Sequence, residues 1–284
     1  MKIAAYVHDN QSHLGIVIGD KIVPVPSALV TGDMSALIAN WPALRPSLEQ
    51  CANKAIGALP LKEVHLQAPV QRPGKILAIG LNYADHIAES GLPTPEQQVW
   101  FTKYANTVHA PFDPVQIPVA SDKVDYEVEL VAVIGKGGRH ISREDAPNHV
   151  FGYCVGNDVS VRDWQLATPQ WMIGKSFDTH GPFGPWITTA DEVGDPHRLA
   201  ITCTVNGDIR QSSNTRHLVF NVWDQIAHLS KAMTLEPGDI IYTGTPAGVG
   251  WAMTPQQILK AGDVVRCEIE DLGAIENSFV NEQR

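Results

Sequence analysis

Glu127 and Glu129 stand two residues apart in the run Val124-Asp125-Tyr126-Glu127-Val128-Glu129-Leu130-Val131-Ala132-Val133-Ile134, whose other members read as a buried strand. In a strand, residues i and i+2 share a face with α-carbons about 7 Å apart, so two carboxylates can converge on one point. At about 5 Å and an effective dielectric near 20 their repulsion is roughly 3 kcal/mol before any desolvation. A divalent cation removes that penalty. The plainer reading is a strand with one wet face carrying Asp125, Glu127 and Glu129. Against it, that face continues into Val131 and Val133, while Val128, Leu130 and Ala132 line the other. With both faces apolar, a ligand role for the pair is favoured.

A third carboxylate, Asp158, follows the apolar run that should end at Gly156. Three carboxylates completed by water form a hard-oxygen site suited to Mg²⁺ or Mn²⁺, and zinc is disfavoured without a nearby His or Cys ligand. Taken alone, Asp158 also fits a turn or a helix cap. Asn82 to Gly91 reads as a short helix with Asn82 as its cap and Gly91 as its stop. His86 and Glu89 are then i, i+3 neighbours, a base oriented by a carboxylate; an exposed ion pair is the alternative. The proline-bearing stretch Leu92 to Gln98 could close over a substrate as a lid.

Lys175, Arg162 and Lys103 are the candidate cations for an anionic substrate. The glycine-rich turn from Thr243 to Gly250 could hold a carboxylate on its N–H groups and the Thr245 hydroxyl. It is not a nucleotide loop of the Walker type, since no Lys-Ser or Lys-Thr follows where one is required.

These residues need elements to position them. The chain has 284 residues, enough for one large domain or a small one plus a larger one. Its net charge of -10 argues against nucleic acid or an anionic membrane as partner. Four cysteines show neither a C-x-x-C pair nor zinc spacing and read as reduced thiols, which places the expected location in the cytoplasm. The apolar run at the N-terminus ends at His8 and Asp9, too early for a signal peptide, and no segment has the length of a transmembrane helix.

Residues 1 to 25 read as a hairpin about Gly19-Asp20, and 34 to 57 as a helix broken at Pro42 and Pro46. The prolines and glycine of 68–74 suggest a boundary between a small N-terminal α/β domain (1–70) and a larger one (74–284). Beyond it, strand-like runs dominate at 75–80, 124–135, 150–156, 186–189, 199–205, 239–243 and 264–269. Helical patterns are confined to 82–90, 162–167 and 220–233. The expected class is mainly β with α, α+β, with helices packed outside.

Taken as an ordered set, several segments resemble the fumarylacetoacetate hydrolase family: Gly80-Leu-Asn-Tyr-Ala-Asp-His86-Ile-Ala-Glu89, Phe101-Thr-Lys103, Asp125-Tyr-Glu127-Val-Glu129-Leu, Gly156-Asn-Asp158-Val-Ser-Val-Arg162-Asp, Gly174-Lys175-Ser-Phe-Asp-Thr, Gly181-Pro-Phe-Gly-Pro185 and Gly238-Asp-Ile-Ile-Tyr-Thr-Gly-Thr245-Pro. The likeness runs from about residue 74 to the C-terminus. It implies a mixed β-sandwich roll, a homodimer, a metal held by Glu127, Glu129 and Asp158, and a 2-oxo acid substrate. The short N-terminal part is similar to the acylpyruvase and dienedioate-isomerase branches. One departure is visible: Lys103 is followed by Tyr104-Ala105-Asn106, where the family commonly has Pro and then Ser or Thr.

The expected chemistry is hydrolysis of a C–C bond in a 1,3-diketo acid, giving pyruvate and a carboxylic acid. His86, oriented by Glu89, deprotonates the attacking water, and Lys175 with the Thr245 turn holds developing negative charge. Tyr83, Lys103, Arg162 and Gln165 are the remaining candidates for substrate contact. Oxaloacetate decarboxylation and isomerisation of an unsaturated dioate are the rivals on the same scaffold, and a metal-dependent binding protein is the non-enzymatic one.

Overall fold

The apolar run predicted over 124–134 supplies the middle of a twelve-stranded sheet. The computed structural model describes residues 1–30, 32–91 and 93–283. Strand Val128–Ile134 lies antiparallel between Val150–Asn157 and Ile240–Tyr242. On one side the sheet continues through Gly181–Thr189 to the N-terminal strands Lys2–His8, Gln11–Ile18 and Lys21–Pro24. On the other, Ile240–Tyr242 pairs in parallel with Ile76–Gly80, which pairs with Val99–Thr102. Because Lys2 lies opposite Thr188, the punctuation at 68–74 does not interrupt this sheet.

A second sheet of five strands has the order Asp208–Asn214, Ala200–Val205, Val264–Ile269, Gly273–Asn281, Val115–Ile117. Leu130, Ala132 and Val155 share a core with Ile201, Val265 and Ile275 of this sheet. Val131 and Val133 point the opposite way, into a core with Phe183, Ile240 and the helix residues Leu37 and Ile38. The period-2 alternation of a strand thus serves two cores, which is why both of its faces are apolar. The protein is mainly β with few helices, an α+β arrangement as read from the sequence. No helix among the described residues is long and apolar enough to cross a membrane.

Local structure departs from expectation in three places. The helical region 34–57 breaks at Asn40, into Met34–Ala39 and Trp41–Lys54, and Pro46 lies inside the second helix. Pro42 sits in the first turn, where its missing N–H has no intrahelical acceptor to lose. The strand at 124–134 is interrupted: Val124–Asp125 leaves to pair with Ser160–Val161, and the main strand starts at Val128. Helix Ala84–Ser90 is capped by Tyr83, not Asn82, and ends on Gly91 in the left-handed conformation. Asn82 is buried instead, its Nδ2 donating to Thr243 O at 2.7 Å and to Phe220 O at 3.0 Å. A cap faces solvent, whereas this amide ties the helix entrance to two distant segments.

Candidate active site

The antiparallel register sets Val128 opposite Asn157. One step beyond that pair, Glu127 and Asp158 therefore meet, and the Asp158 N–H donates to Glu127 O at 2.9 Å. The Glu127 N–H donates to Asn157 Oδ1, also at 2.9 Å. Glu129 stands within the strand, and one carboxylate oxygen from each of Glu127, Glu129 and Asp158 lies within 4.8 Å of the others, all three residues buried. The convergence comes from the ends of two paired strands rather than from the pleat of one, since Glu127 precedes the strand proper.

Cations interleave with these carboxylates. Lys175 Nζ lies 2.8 Å from both Glu127 Oε2 and Asp158 Oδ2. Lys103 Nζ lies 2.6 Å from Asp158 Oδ1 and also donates to the Lys175 carbonyl. Arg162 reaches Glu127 Oε1 with Nη1 at 2.6 Å and Asp125 Oδ2 with Nε at 2.8 Å. Lys175 arrives at this position because Gly174 has no side chain: a Cβ there would fall 2.2 Å from the Gln165 backbone nitrogen. Burial works against the charged forms, yet Lys175 and Arg162 draw the Glu127 carboxyl down to about 2. Burial likewise opposes ionised Lys175, but Asp158 and Glu127 outweigh it and raise its pKa.

Glu129 is the exception. Its Oε2 accepts the Gly244 N–H at 2.7 Å, but burial, with Asp158 and Glu127 beside it, holds its carboxyl well above the usual carboxylate range. Three buried carboxylates with one of them under-compensated form a hard-oxygen donor set that fits Mg²⁺ or Mn²⁺. Unfolded, Glu129 ionises near about pH 4.3. Its contribution to the stability of the cation-free fold is thus fully present below that pH and lost as pH rises through its raised folded value. Glu127 has the opposite sign: its contribution is present above about pH 4.3 and lost as pH falls toward 2. A bound dication replaces the Glu129 proton. The rise in Tm given by millimolar MnCl₂ over EDTA should therefore grow from about pH 5 upward, with proton release on Mn²⁺ binding in calorimetry. A gain independent of pH would remove Glu129 from the ligand set.

Beside this cluster lies a cavity of about 410 Å³, lined by His86, Glu89, Glu127, Glu129 and Lys175 among others. His86 Nδ1 lies 3.2 Å from Glu89 Oε2, and Glu89 Oε1 accepts the Gly248 N–H at 2.9 Å. The dyad predicted from i, i+3 spacing is therefore formed, and the glycine-rich turn fixes its carboxylate. That turn was expected to hold a substrate carboxylate; the N–H groups of Gly244 and Gly248 hold the protein's own Glu129 and Glu89.

The remaining candidates divide. Gln165 and Thr245 line the cavity, as does Arg162. The Arg162 guanidinium is committed to Asp125 and Glu127, and the Thr245 hydroxyl donates to Val128 O at 3.0 Å and accepts from Gln211 Nε2 at 2.8 Å. Two expected substrate contacts are corrected. Tyr83 is fully buried and outside the cavity lining, and Lys103 is buried behind Asp158. Tyr83 is packed in the interior, and the Lys103 ammonium is taken up by Asp158 Oδ1 and the Lys175 carbonyl instead of facing the cavity. Of the proposed lid, Leu92 lies outside the described residues, and the stretch after it is irregular chain leading to strand Val99–Thr102. Sequence reasoning did not find the aromatic wall of Phe101, Trp171 and Trp251. Gly80 was its one available signal, since a Cβ there would fall 2.1 Å from Trp171 Cζ3.

The family model described as Fumarylacetoacetate (FAA) hydrolase C-terminal matches residues 75–280. The chain belongs to this family. Over 219 residues, 76% of this chain and 69% of the relative, the family member is 51% identical to the mitochondrial oxaloacetate tautomerase of Xenopus laevis. Over 235 residues, 81% of this chain and 75% of the relative, it is 48% identical to a mitochondrial oxaloacetate tautomerase of Homo sapiens. Among solved structures it is similar to maleylpyruvate hydrolase from Sphingobium sp. SYK-6 in complex with manganese (II) ion and pyruvate, with TM-score 0.85, 37% identity and both chains covered fully. These relatives are enzymes, and the fumarylacetoacetate hydrolase fold of this chain carries the acidic cluster able to hold a metal.

The expectation of a cytoplasmic location is corrected by the same comparison, because both tautomerase relatives are mitochondrial proteins. The cysteines are free thiols, but reduced thiols report only a reducing environment and do not choose between compartments that share one.

Proposed function

We propose that this protein is a divalent-metal-dependent tautomerase of small 2-oxo acids of the oxaloacetate type, interconverting their keto and enol forms. The supporting observation is the His86–Glu89 dyad in the same cavity as Glu127, Glu129 and Lys175; similarity of about half to oxaloacetate tautomerases favours proton transfer over C–C hydrolysis, the reaction first expected. Glu127, Glu129 and Asp158 would hold a dication, which would supply Lewis acidity for enolisation of a 2-oxo acid.

The chain's own groups do the rest. His86 takes a proton from C3 of the keto acid as the C2–C3 bond gains double-bond character, and the imidazolium then gives that proton to the oxygen on C2, which leaves the enol and returns His86 to its neutral form. Glu89, anchored by the Gly248 N–H, holds the imidazole in orientation and offsets its charge while it carries the proton. Lys175, itself held by Glu127 and Asp158, places a fixed positive charge beside the oxygen on which negative charge develops. Water consumption is not required, in contrast to the hydrolase scheme.

A second reading, C–C hydrolysis of an acylpyruvate, is favoured by the similarity to maleylpyruvate hydrolase, because the same dyad can activate a water. One assay separates them. The ultraviolet decay of enol-oxaloacetate is followed with MnCl₂ or with EDTA, and products are identified by NMR, with an acylpyruvate in parallel. Accelerated enol decay that EDTA abolishes, without pyruvate above the blank, is the expected result. Pyruvate and carbon dioxide from oxaloacetate would select decarboxylation, and pyruvate plus a carboxylic acid from the acylpyruvate would select hydrolysis; either outcome as the main activity sinks the tautomerase reading. Homodimer formation, implied by the family resemblance, belongs to the same proposal and is read from light scattering.

A further inference from the structure

The cavity combines a charged cluster with an aromatic and aliphatic wall. The carboxylates, Lys175 and the His86–Glu89 dyad share the cavity with the apolar side chains of Phe101, Trp171, Trp251, Leu166 and Val249, and Gln165, Ser90 and Thr245 also line it; Lys175 Nζ stands 5.1 Å from the Phe101 ring centroid, and Trp171 packs on the edge of that ring. The wall is built rather than incidental. Trp171 lies directly on Gly80, where a Cβ would fall 2.1 Å from its ring, and it meets Phe101 edge to face at 5.8 Å and 61°. The backbone N–H of Trp251 donates to Asp125 Oδ2 at 2.9 Å, on the same carboxylate oxygen that receives Arg162 Nε.

Charge bears on what this wall accepts. Among the described residues lining the cavity the cationic groups are Arg162, Lys175 and His86, and each already faces a protein carboxylate: Arg162 faces Asp125 and Glu127, Lys175 faces Glu127 and Asp158, His86 faces Glu89. A second substrate carboxylate set against Trp171 and Trp251 would meet indole surface, and each cation among the described lining residues already faces a protein carboxylate, which disfavours it. An uncharged ring there would bury its surface against two indoles. The space suits such a group as well. At about 30 Å³ per water, 410 Å³ corresponds to about 14 waters, more than a four-carbon dioate displaces.

We propose that this site prefers 2-oxo acids bearing an uncharged aromatic or similarly bulky apolar group at the end remote from the oxo acid, with Trp171 as the specificity-determining residue. The inference rests on the tautomerase reading and moves its preferred substrate from oxaloacetate to a 2-oxo acid with an uncharged aryl end.

Phenylpyruvate and oxaloacetate make the matched test, since they differ only in a phenyl group in place of the second carboxylate. The readouts are kcat/KM for enol–keto interconversion by the Mn²⁺-loaded enzyme and, separately, the calorimetric Kd of each acid. The expected result is a phenylpyruvate to oxaloacetate ratio of at least about 10 in the wild type. Trp171→Ala should lower that ratio about tenfold, as should Leu166→Arg, which adds a cation at an exposed rim position where folding is not at stake. A wild-type ratio below one, or a ratio that neither variant moves, would overturn the proposal. If neither acid is tautomerised, the tautomerase reading fails by itself, and the ratio of Kd values still decides whether the aromatic wall selects an aryl group.

Discussion

His86→Ala is expected to lower kcat for keto–enol interconversion by about 10²- to 10⁴-fold, the usual contribution of a positioned general base, while Mn²⁺ affinity stays at its wild-type value. The separation follows from the geometry. His86 shares the cavity with Glu127 and Glu129, but its hydrogen-bonding partner is Glu89, and the metal-ligand oxygens come from Glu127, Glu129 and Asp158. Removing the imidazole leaves Glu89 held by the Gly248 N–H and leaves Lys175 between Glu127 and Asp158. Glu89→Gln should produce a smaller loss, because the base itself remains, although the amide offers one acceptor oxygen where the carboxylate serves both the imidazole and the Gly248 N–H. Turnover at saturating Mn²⁺ and a calorimetric Mn²⁺ titration of each variant provide the check. Near-normal turnover by His86→Ala would remove the dyad from the chemistry.

The second large effect concerns stability. Lys103→Met should destabilise the cation-free protein by about 3–5 kcal/mol, the loss seen when one partner of a buried ion pair is removed. Against a total stability of about 5–15 kcal/mol, and at roughly 2–4 °C per kcal/mol for a chain of this size, Tm should fall on the order of 10 °C. The side chains of Lys103 and Asp158 are both inaccessible, and Lys103 also satisfies the buried carbonyl of Lys175. Burial lowers the Lys103 pKa in spite of Asp158, so the ammonium gains less from its partner than it loses by leaving water. The expected damage comes instead from Asp158, left with Lys175 on one oxygen and nothing on the other. The double variant Lys103→Met/Asp158→Asn removes that orphaned charge and should recover much of the lost Tm, although it gives up a metal ligand. Equal melting of the single variant and the wild type would show that water reaches Asp158 and that the pair is not structurally required.

Elements with a strong local period were legible before the fold was known. Val264–Ile269 forms over the predicted residues, and the buried run at 128–134 lies between two cores as its two apolar faces required. Errors gathered where long-range contacts override a local signal. Asn82 has the residue type and position of a helix cap, yet its amide bonds to Thr243 and Phe220, segments more than a hundred residues away along the chain. Tyr126 and Glu127 lie within the run that reads as one strand, but the strand breaks there because Val124 and Asp125 find their partner in Val161 and Ser160. Thiol state carried no information on compartment beyond its being reducing.

By itself, the sequence determined which acids and which base were available. Glu127 and Glu129 could not sit between apolar faces without a counter-charge, and His86 and Glu89 had to meet because one helical turn separates them. Only the tertiary structure decided how the charges pair. Lys103, Asp158, Arg162 and Lys175 come from separate stretches, and nothing in their spacing indicates that Arg162 binds Asp125 and Glu127, that Lys175 bridges Glu127 and Asp158, or that Lys103 stands behind the site instead of lining it. Local periodicity fixes which side of an element a residue occupies. Which ions become neighbours depends on strand register and chain crossings, and those are set by burial of the whole core.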